Sequence, residues 1–359
     1  MKEFGSDFQL MPDYRNIVAK SSKGTLYDVY GCMREYACGR HSIEAICKFK
    51  GWKRIWIPAY FCYEVIGYLT HEAGIEIKLY DDTPLSDRDD KVVRGLPYEE
   101  GDVLLRMNFF ALRGFRTNEG INVSVIEDHT HDIISEWTKR SDADYCIASI
   151  RKTMPTAAGG ILWSPKGLQL PDQIGETDDC KAMAKMRYEG MEMKREYLMG
   201  KPVDKNVFRE KMLTSEEIID KLGLSGMDKE TMNIAREMNY GMWDELKAEN
   251  WRLAYEMLGL KFNVLRPLYF DEISLNSTQS DWRPFSITIL CDTAEERSAL
   301  RMHLIKNMIY PAILWAVPED SEYPEAVDFS KRMLSVHCDP RYSRNDIKKM
   351  CERILAFEC

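Results

Sequence analysis

The sequence contains no C-x-x-C pair, no H-E-x-x-H motif, no tandem repeat and no low-complexity tract. It also lacks an apolar run near the roughly 18 residues a spanning helix needs: stretches such as Val103–Leu105 and Ala312–Val317 are soon broken by charge or proline. A membrane-spanning chain is thereby excluded as a reading. Basic charge is in deficit, with 49 Lys and Arg against 58 Asp and Glu and a formal net charge of −9, which argues against a cationic nucleic-acid binder. The first residues, Met1-Lys2-Glu3-Phe4-Gly5-Ser6-Asp7, place acids where a signal peptide would turn basic and then apolar, so the expected location is the cytoplasm. Ten cysteines are scattered through the chain, several inside apolar runs, and read as reduced, mostly buried thiols. Of six histidines only His129 and His131 lie close together, flanked by Asp128 and Asp132; no ligand spacing supports a metal site, and none is assigned.

What is present is the composition of an ordinary globular protein: 359 residues, 45% hydrophobic, 11% aromatic and 30% charged. That length suits one large α/β body with a smaller appendage. From 41 to 164, short β-branched or aromatic runs alternate with helix-length amphipathic stretches. The pattern predicts strands at Arg54–Ile57, Ile75–Tyr80, Val103–Phe109, Asn122–Glu127, Tyr145–Ile150 and Gly160–Ser164, with helices at His41–Lys50 and Tyr63–Ala73. This grammar implies a mainly parallel sheet covered on both faces. Residues 171–258 are Met-rich and helically periodic, broken at Gly200-Lys201-Pro202 and Gly223 to Gly226. After Leu260 come expected strands at Phe262–Pro267, Ser286–Cys291 and Met333–His337. A helix is expected at Ala294–Asn307 and another from Ser343 to Phe357, where Ser343 supplies an N-cap and Asp346 a negative first turn. The expected division is a large domain over 1–258 and a small α+β domain over 259–359.

Three places could carry chemistry. The turn Ser149-Ile150-Arg151-Lys152-Thr153-Met154-Pro155 follows an apolar strand and leads to Gly159-Gly160, small residues that allow close backbone approach to a ligand. A lysine ending a strand is ordinarily a solvated surface group. The neighbouring strand, however, runs out into Glu127-Asp128-His129-Thr130-His131, and the carboxyl ends of parallel strands are where open α/β sheets bind ligands. By itself Asp128 reads as well as a helix cap. A lysine and a carboxylate ending two strands of one sheet match the pairing used by pyridoxal phosphate sites: a Schiff-base lysine and an acid on the pyridinium nitrogen. Third, Cys38-Gly39-Arg40-His41-Ser42 opens an amphipathic helix whose N-terminus could hold a phosphate.

Six segments carry a resemblance: Ala37-Cys38-Gly39-Arg40-His41-Ser42-Ile43, Ile57-Pro58-Ala59-Tyr60-Phe61-Cys62, Val125 to His131, Ser149 to Pro155 with Gly159-Gly160, Ile309-Tyr310-Pro311-Ala312-Ile313-Leu314-Trp315, and Leu334 to Ser343. In their order and spacing the chain resembles the DegT/DnrJ/StrS-type sugar aminotransferases of fold type I over nearly its whole length. The resemblance implies pyridoxal 5′-phosphate as cofactor, with Lys152 as the Schiff-base lysine and proton-transfer base and Asp128 as the acid on the pyridine nitrogen. It also implies His131 against the ring hydroxyl, Gly39, Arg40 and Ser149 in the phosphate cradle with His41 beside them, and Tyr60 or Phe61 stacked on the ring. It implies a homodimer moving an amino group from an amino-acid donor, glutamate foremost, to a keto group on a nucleotide-linked sugar. Elimination or dehydration on a sugar is the alternative with the same cofactor, although sugar dehydratases resembling this group carry His at the lysine position. A non-catalytic member of the fold is the third reading. The chain departs from the pattern in placing Ser149 three rather than five residues before Lys152, in Arg151 beside that lysine, in Cys62 where others place a stacking aromatic, and throughout 171–258. The methionines between Met183 and Met199 and the tyrosines Tyr14, Tyr27, Tyr30 and Tyr36 are the expected dimer contacts.

Overall fold

The computed structural model describes residues 3–5, 7–11, 24–267 and 282–358. Its centre is a seven-stranded sheet built from β2 (Met33–Tyr36), β3 (Arg54–Pro58), β4 (Glu76–Tyr80), β5 (Asp102–Met107), β6 (Ser124–Asp128), β7 (Tyr145–Ala148) and β8 (Gly160–Trp163), while β1 (Phe4–Gly5) lies elsewhere. The spatial order is β2-β8-β7-β6-β5-β3-β4; β3 to β7 pair in parallel, and β8 runs antiparallel to both β7 and β2. Alternation along each strand feeds two apolar layers. Trp56, Leu104, Val125 and Cys146 enter one, and Ile55, Ile57, Val103, Leu105, Ile126 and Ile147 enter the other.

Helix α1 (Gly39–Lys50) follows β2 and ends at Gly51, whose φ of 71° supplies the left-handed cap. The Met-rich region folds as α2 (Asp178–Leu198), α3 (Lys205–Lys221), α4 (Lys229–Glu237) and α5 (Tyr240–Leu258), with side-chain caps from Thr177, Asp204, Asp228 and Asn239. Beyond it, β9 (Ile287–Leu290) pairs antiparallel with β11 (Met333–Val336), and β10 (Ile309–Tyr310) takes β1 as a parallel partner. Phe4 therefore packs in one cluster with Trp251, Leu258, Ile287, Leu334 and Ile354. The last helix, Arg344–Leu355, begins at the Ser343 N-cap that its sequence predicts, which the structure completes as a capping box with Asp346.

Several expectations are corrected. Phe262–Pro267 forms no strand beyond a single bridge from Val264 to Ile289. Met33–Tyr36 leaves the N-terminal arm to become an edge strand of the main sheet. The strands read as 103–109 and 145–150 stop at Met107 and Ala148, because the chain then tightens into single 3₁₀ turns at Phe109–Ala111 and Ile150–Lys152. Among the expected dimer contacts, Met183, Met191 and Tyr36 are buried in the chain's own core and Tyr30 stacks on Trp163 at 4.3 Å; Tyr14 lies outside the described residues. Among the described residues no helix is long and apolar enough to cross a membrane.

Candidate active site

Parallel pairing brings Asp128 at the end of β6 opposite Ile147 of β7, so Ser149 and the turn after it emerge beside that carboxylate. Thr130 joins the two strand ends. Its N–H donates to Asp128 Oδ1 at 2.9 Å, and its Oγ1 accepts the Ser149 N–H at 3.0 Å. Lys152 closes the 3₁₀ turn, its N–H on the Ser149 carbonyl at 3.2 Å. Across the gap α1 begins at Gly39, where a Cβ would stand 3.2 Å from that of Ser149. Cys38 provides no side-chain cap, so first-turn N–H groups of α1 remain open to an anion.

Gly39, Arg40, Phe61, Asp128, Ser149 and Lys152 thus line one cavity of about 70 Å³. A second, of about 300 Å³, adjoins it and takes in His131, Arg187, Glu216 and His337. Thr130, Arg151, Lys152 and Trp315 line both, which puts Lys152 at the junction.

Burial pushes the Asp128 carboxyl up to about 6, still ionised at neutral pH. The neighbouring Arg151 charge, then burial, draw Lys152 below the usual lysine range. His131 is held far below its ordinary value by burial and by the Lys152 and Lys247 charges. It is therefore neutral, and because its Nδ1 accepts the Phe110 N–H at 2.9 Å, Nε2 carries the hydrogen. Its ring lies nearly parallel to Trp315, 5.4 Å away at 11°, and 3.9 Å from Phe285.

Other predicted residues lie outside this group. His41 is fully buried behind the helix start, its Nε2 2.9 Å from the Leu222 carbonyl, and lines neither cavity. Tyr60 gives its hydroxyl to the Leu314 carbonyl and packs edge-on to Phe329, leaving Phe61 as the aromatic of that pair on the cavity. Gly159 and Gly160 approach protein, not ligand: a Cβ on Gly160 would stand 2.2 Å from the Cys38 carbonyl oxygen. His129 and His131 follow the end of β6 and take separate surroundings: His131 packs against Phe110, Phe285 and Trp315, and His129 against Trp137 and Trp163. His129 is clasped between Glu127 Oε2 at 3.0 Å and Asp132 Oδ1 at 2.9 Å, so the two imidazoles share no site.

Sequence reasoning did not assign site roles to Thr130, Trp315, Arg151, Arg187 or Glu216. Arg151 had a signal in its position beside Lys152; Arg187 and Glu216 come from α2 and α3, whose part in the site is visible only once they fold against it. Arg40 pairs with Asp220 at 2.7 Å, and Arg151 with Glu216 at 2.7 Å, one turn apart on α3.

No family model and no curated protein matches the chain. Solved structures do. Helicobacter pylori PseC, an aminotransferase involved in the biosynthesis of pseudoaminic acid, matches with a TM-score of 0.61 at 14% identity, covering 99% of this chain and 98% of its own. A DegT DnrJ EryC1 StrS aminotransferase from Brucella abortus matches at 0.57 and 14%, covering 98% and 91%. Spr1654 from Streptococcus pneumoniae, solved in a PLP form, matches at 0.58 and 12%, covering 98% and 92%. The fold of this chain is therefore that of the DegT/DnrJ/EryC1/StrS aminotransferases from end to end.

Proposed function

We propose that a chain with this fold, carrying Lys152 and Asp128 on one cavity, is a pyridoxal-phosphate-dependent aminotransferase. It takes an amino group from an amino acid, glutamate foremost, and delivers it to a keto group, with a nucleotide-linked sugar as the first acceptor to test. The observation that carries the reading is the convergence of Lys152, Asp128 and the Gly39 helix start around a single cavity. A solved relative of the fold in its PLP form supports the choice of cofactor.

The cavity suits that group chemically. Asp128 is a buried carboxylate braced from one side by Thr130, which fits a protonated pyridine nitrogen. Ser149, Arg40 and the open first turn of α1 fit a phosphate, and a side chain at Gly39 would crowd Ser149. When bound, pyridoxal phosphate supplies an aldehyde for amine exchange and a ring that accepts charge from the reacting carbon. The chain's own residues do the rest. Asp128 holds a proton on the ring nitrogen, and the neutral His131 can donate from Nε2 towards a ring oxygen. Lys152, its proton affinity lowered by Arg151, would serve as the base that takes the proton from the donor's α-carbon. Trp315 and Phe61, their rings 5.8 Å apart, flank the cavity that Lys152 lines. Lysine at position 152 favours amine transfer over dehydration.

Borohydride reduction of the cofactor-loaded protein is expected to fix the cofactor on the peptide bearing Lys152, and Lys152→Ala to abolish both that adduct and its visible absorption band. A reducible adduct that survives in Lys152→Ala removes Lys152 from this role.

A further inference from the structure

The larger cavity raises a question of recognition that the cofactor residues leave open. An amino-acid donor brings an α-carboxylate into a partly enclosed cavity, where an anion gains from a fixed cationic partner. Two guanidiniums line that space, Arg151 and Arg187. Arg151 also lines the small cavity and stands next to Lys152, so it belongs equally to the cofactor side. Arg187 lines only the larger one. It is buried on α2 and held by four contacts: Nη1 on the Met212 carbonyl at 2.9 Å, on Glu216 Oε1 at 3.1 Å and on Ser215 Oγ at 3.4 Å, and Nη2 on Asp7 Oδ1 at 2.7 Å. A guanidinium has five N–H donors, so the second Nη2 hydrogen and Nε remain, and among the described residues Nε has no hydrogen-bond partner. Glu216 Oε1 bridges the two arginines, 2.7 Å from Arg151 Nη1 and 3.1 Å from Arg187 Nη1.

We propose that Arg187 binds the carboxylate of the amino-acid donor in the larger cavity, which Lys152 also lines. The assignment rests on the aminotransferase reading for the word donor, while the carboxylate site itself rests on the geometry. It makes the preferred donor an α-amino acid and leaves carboxylate-free amines without their anchor.

Two measurements test it. Glutarate, a dicarboxylate with no amine to react, is titrated into the cofactor-loaded protein and followed by tryptophan fluorescence, since Trp315 lines the cavity. Arg187→Gln is expected to weaken glutarate roughly ten- to a hundred-fold, the loss of a charged hydrogen-bonded contact. Arg187→Lys keeps the charge that Asp7 and Glu216 require but loses the fork, and is expected to weaken it roughly three- to ten-fold. In the amine half-reaction, Arg187→Gln raises the KM for glutamate by a similar factor and leaves 2-aminobutane within about two-fold of wild type. Unchanged glutarate binding in both variants, or equal loss of glutamate and 2-aminobutane in Arg187→Lys, overturns the assignment. Arg187-dependent glutarate binding with no half-reaction for any amine upholds the carboxylate site and overturns the aminotransferase reading instead.

Discussion

Asp128 meets two demands that pull in opposite directions. To hold a proton on a ring nitrogen its carboxylate must be charged, yet its surroundings disfavour that charge and raise its pKa from 3.8 to about 6. The folded state thus binds a proton at Asp128 more tightly than the unfolded chain. The stability that goes with its protonated form is fully present below about pH 4 and is lost as pH rises through about 6, by up to about 3 kcal/mol. In the cofactor-free protein Asp128→Asn is therefore expected to be more stable than wild type at pH 7, by an amount that shrinks as pH falls towards 4. Urea unfolding at both pH values measures this, and a pH-independent difference would refute the burial argument. The same substitution is expected to slow the amine half-reaction at least about a hundred-fold, because an amide cannot hold the ring proton. Half-reaction rates within a few-fold of wild type would remove Asp128 from the role.

At the scale of elements, the return of β8 beside β2 is the tightest step in building the site. Gly160 passes so close to Cys38 that a Cβ would meet its carbonyl oxygen at 2.2 Å, and the Gly159 N–H donates to the Ala37 carbonyl at 2.7 Å. That contact sets the start of α1 against Ser149. Gly160→Ala is expected to cost at least about 2 kcal/mol in urea unfolding, because backbone cannot yield as a side-chain tip can. An unchanged midpoint would show that the two strands do not meet as closely as described. The glycines were legible as a point of close approach, but their partner, a neighbouring strand rather than a ligand, was not. His129 and His131 teach the same lesson. Two residues apart at a strand end, they read as a pair until the chain turns and sends them apart.

At the scale of the whole molecule, an isologous homodimer is the expected assembly, the commonest closed symmetry, with an interface above roughly 2,000 Å². Met183 and Met191 fill the chain's own core, whereas Met199 is 63% exposed and Leu213, on the helix packed against its own, is 61% exposed. Those two are the better candidates for the contact. Light scattering at micromolar concentration checks the assembly, and a mass near the 41.8 kDa of one chain, persisting with cofactor bound, would exclude the dimer.

The sequence by itself determined the α/β class, most of the strands and the placing of Asp128, Ser149 and Lys152 at strand ends. These depend on local periodicity and on which residues follow an apolar run, and both are written in consecutive positions. Only the tertiary structure decided which face each side chain serves and what α2 and α3 bring to the cavity. It withdrew His41 and Tyr60 into the packing and exchanged them for Thr130 and Trp315, and it set Arg187 and Glu216 beside Lys152 from positions 35 and 64 residues away. Such encounters depend on how separate helices close over the sheet, and no short-range pattern encodes them.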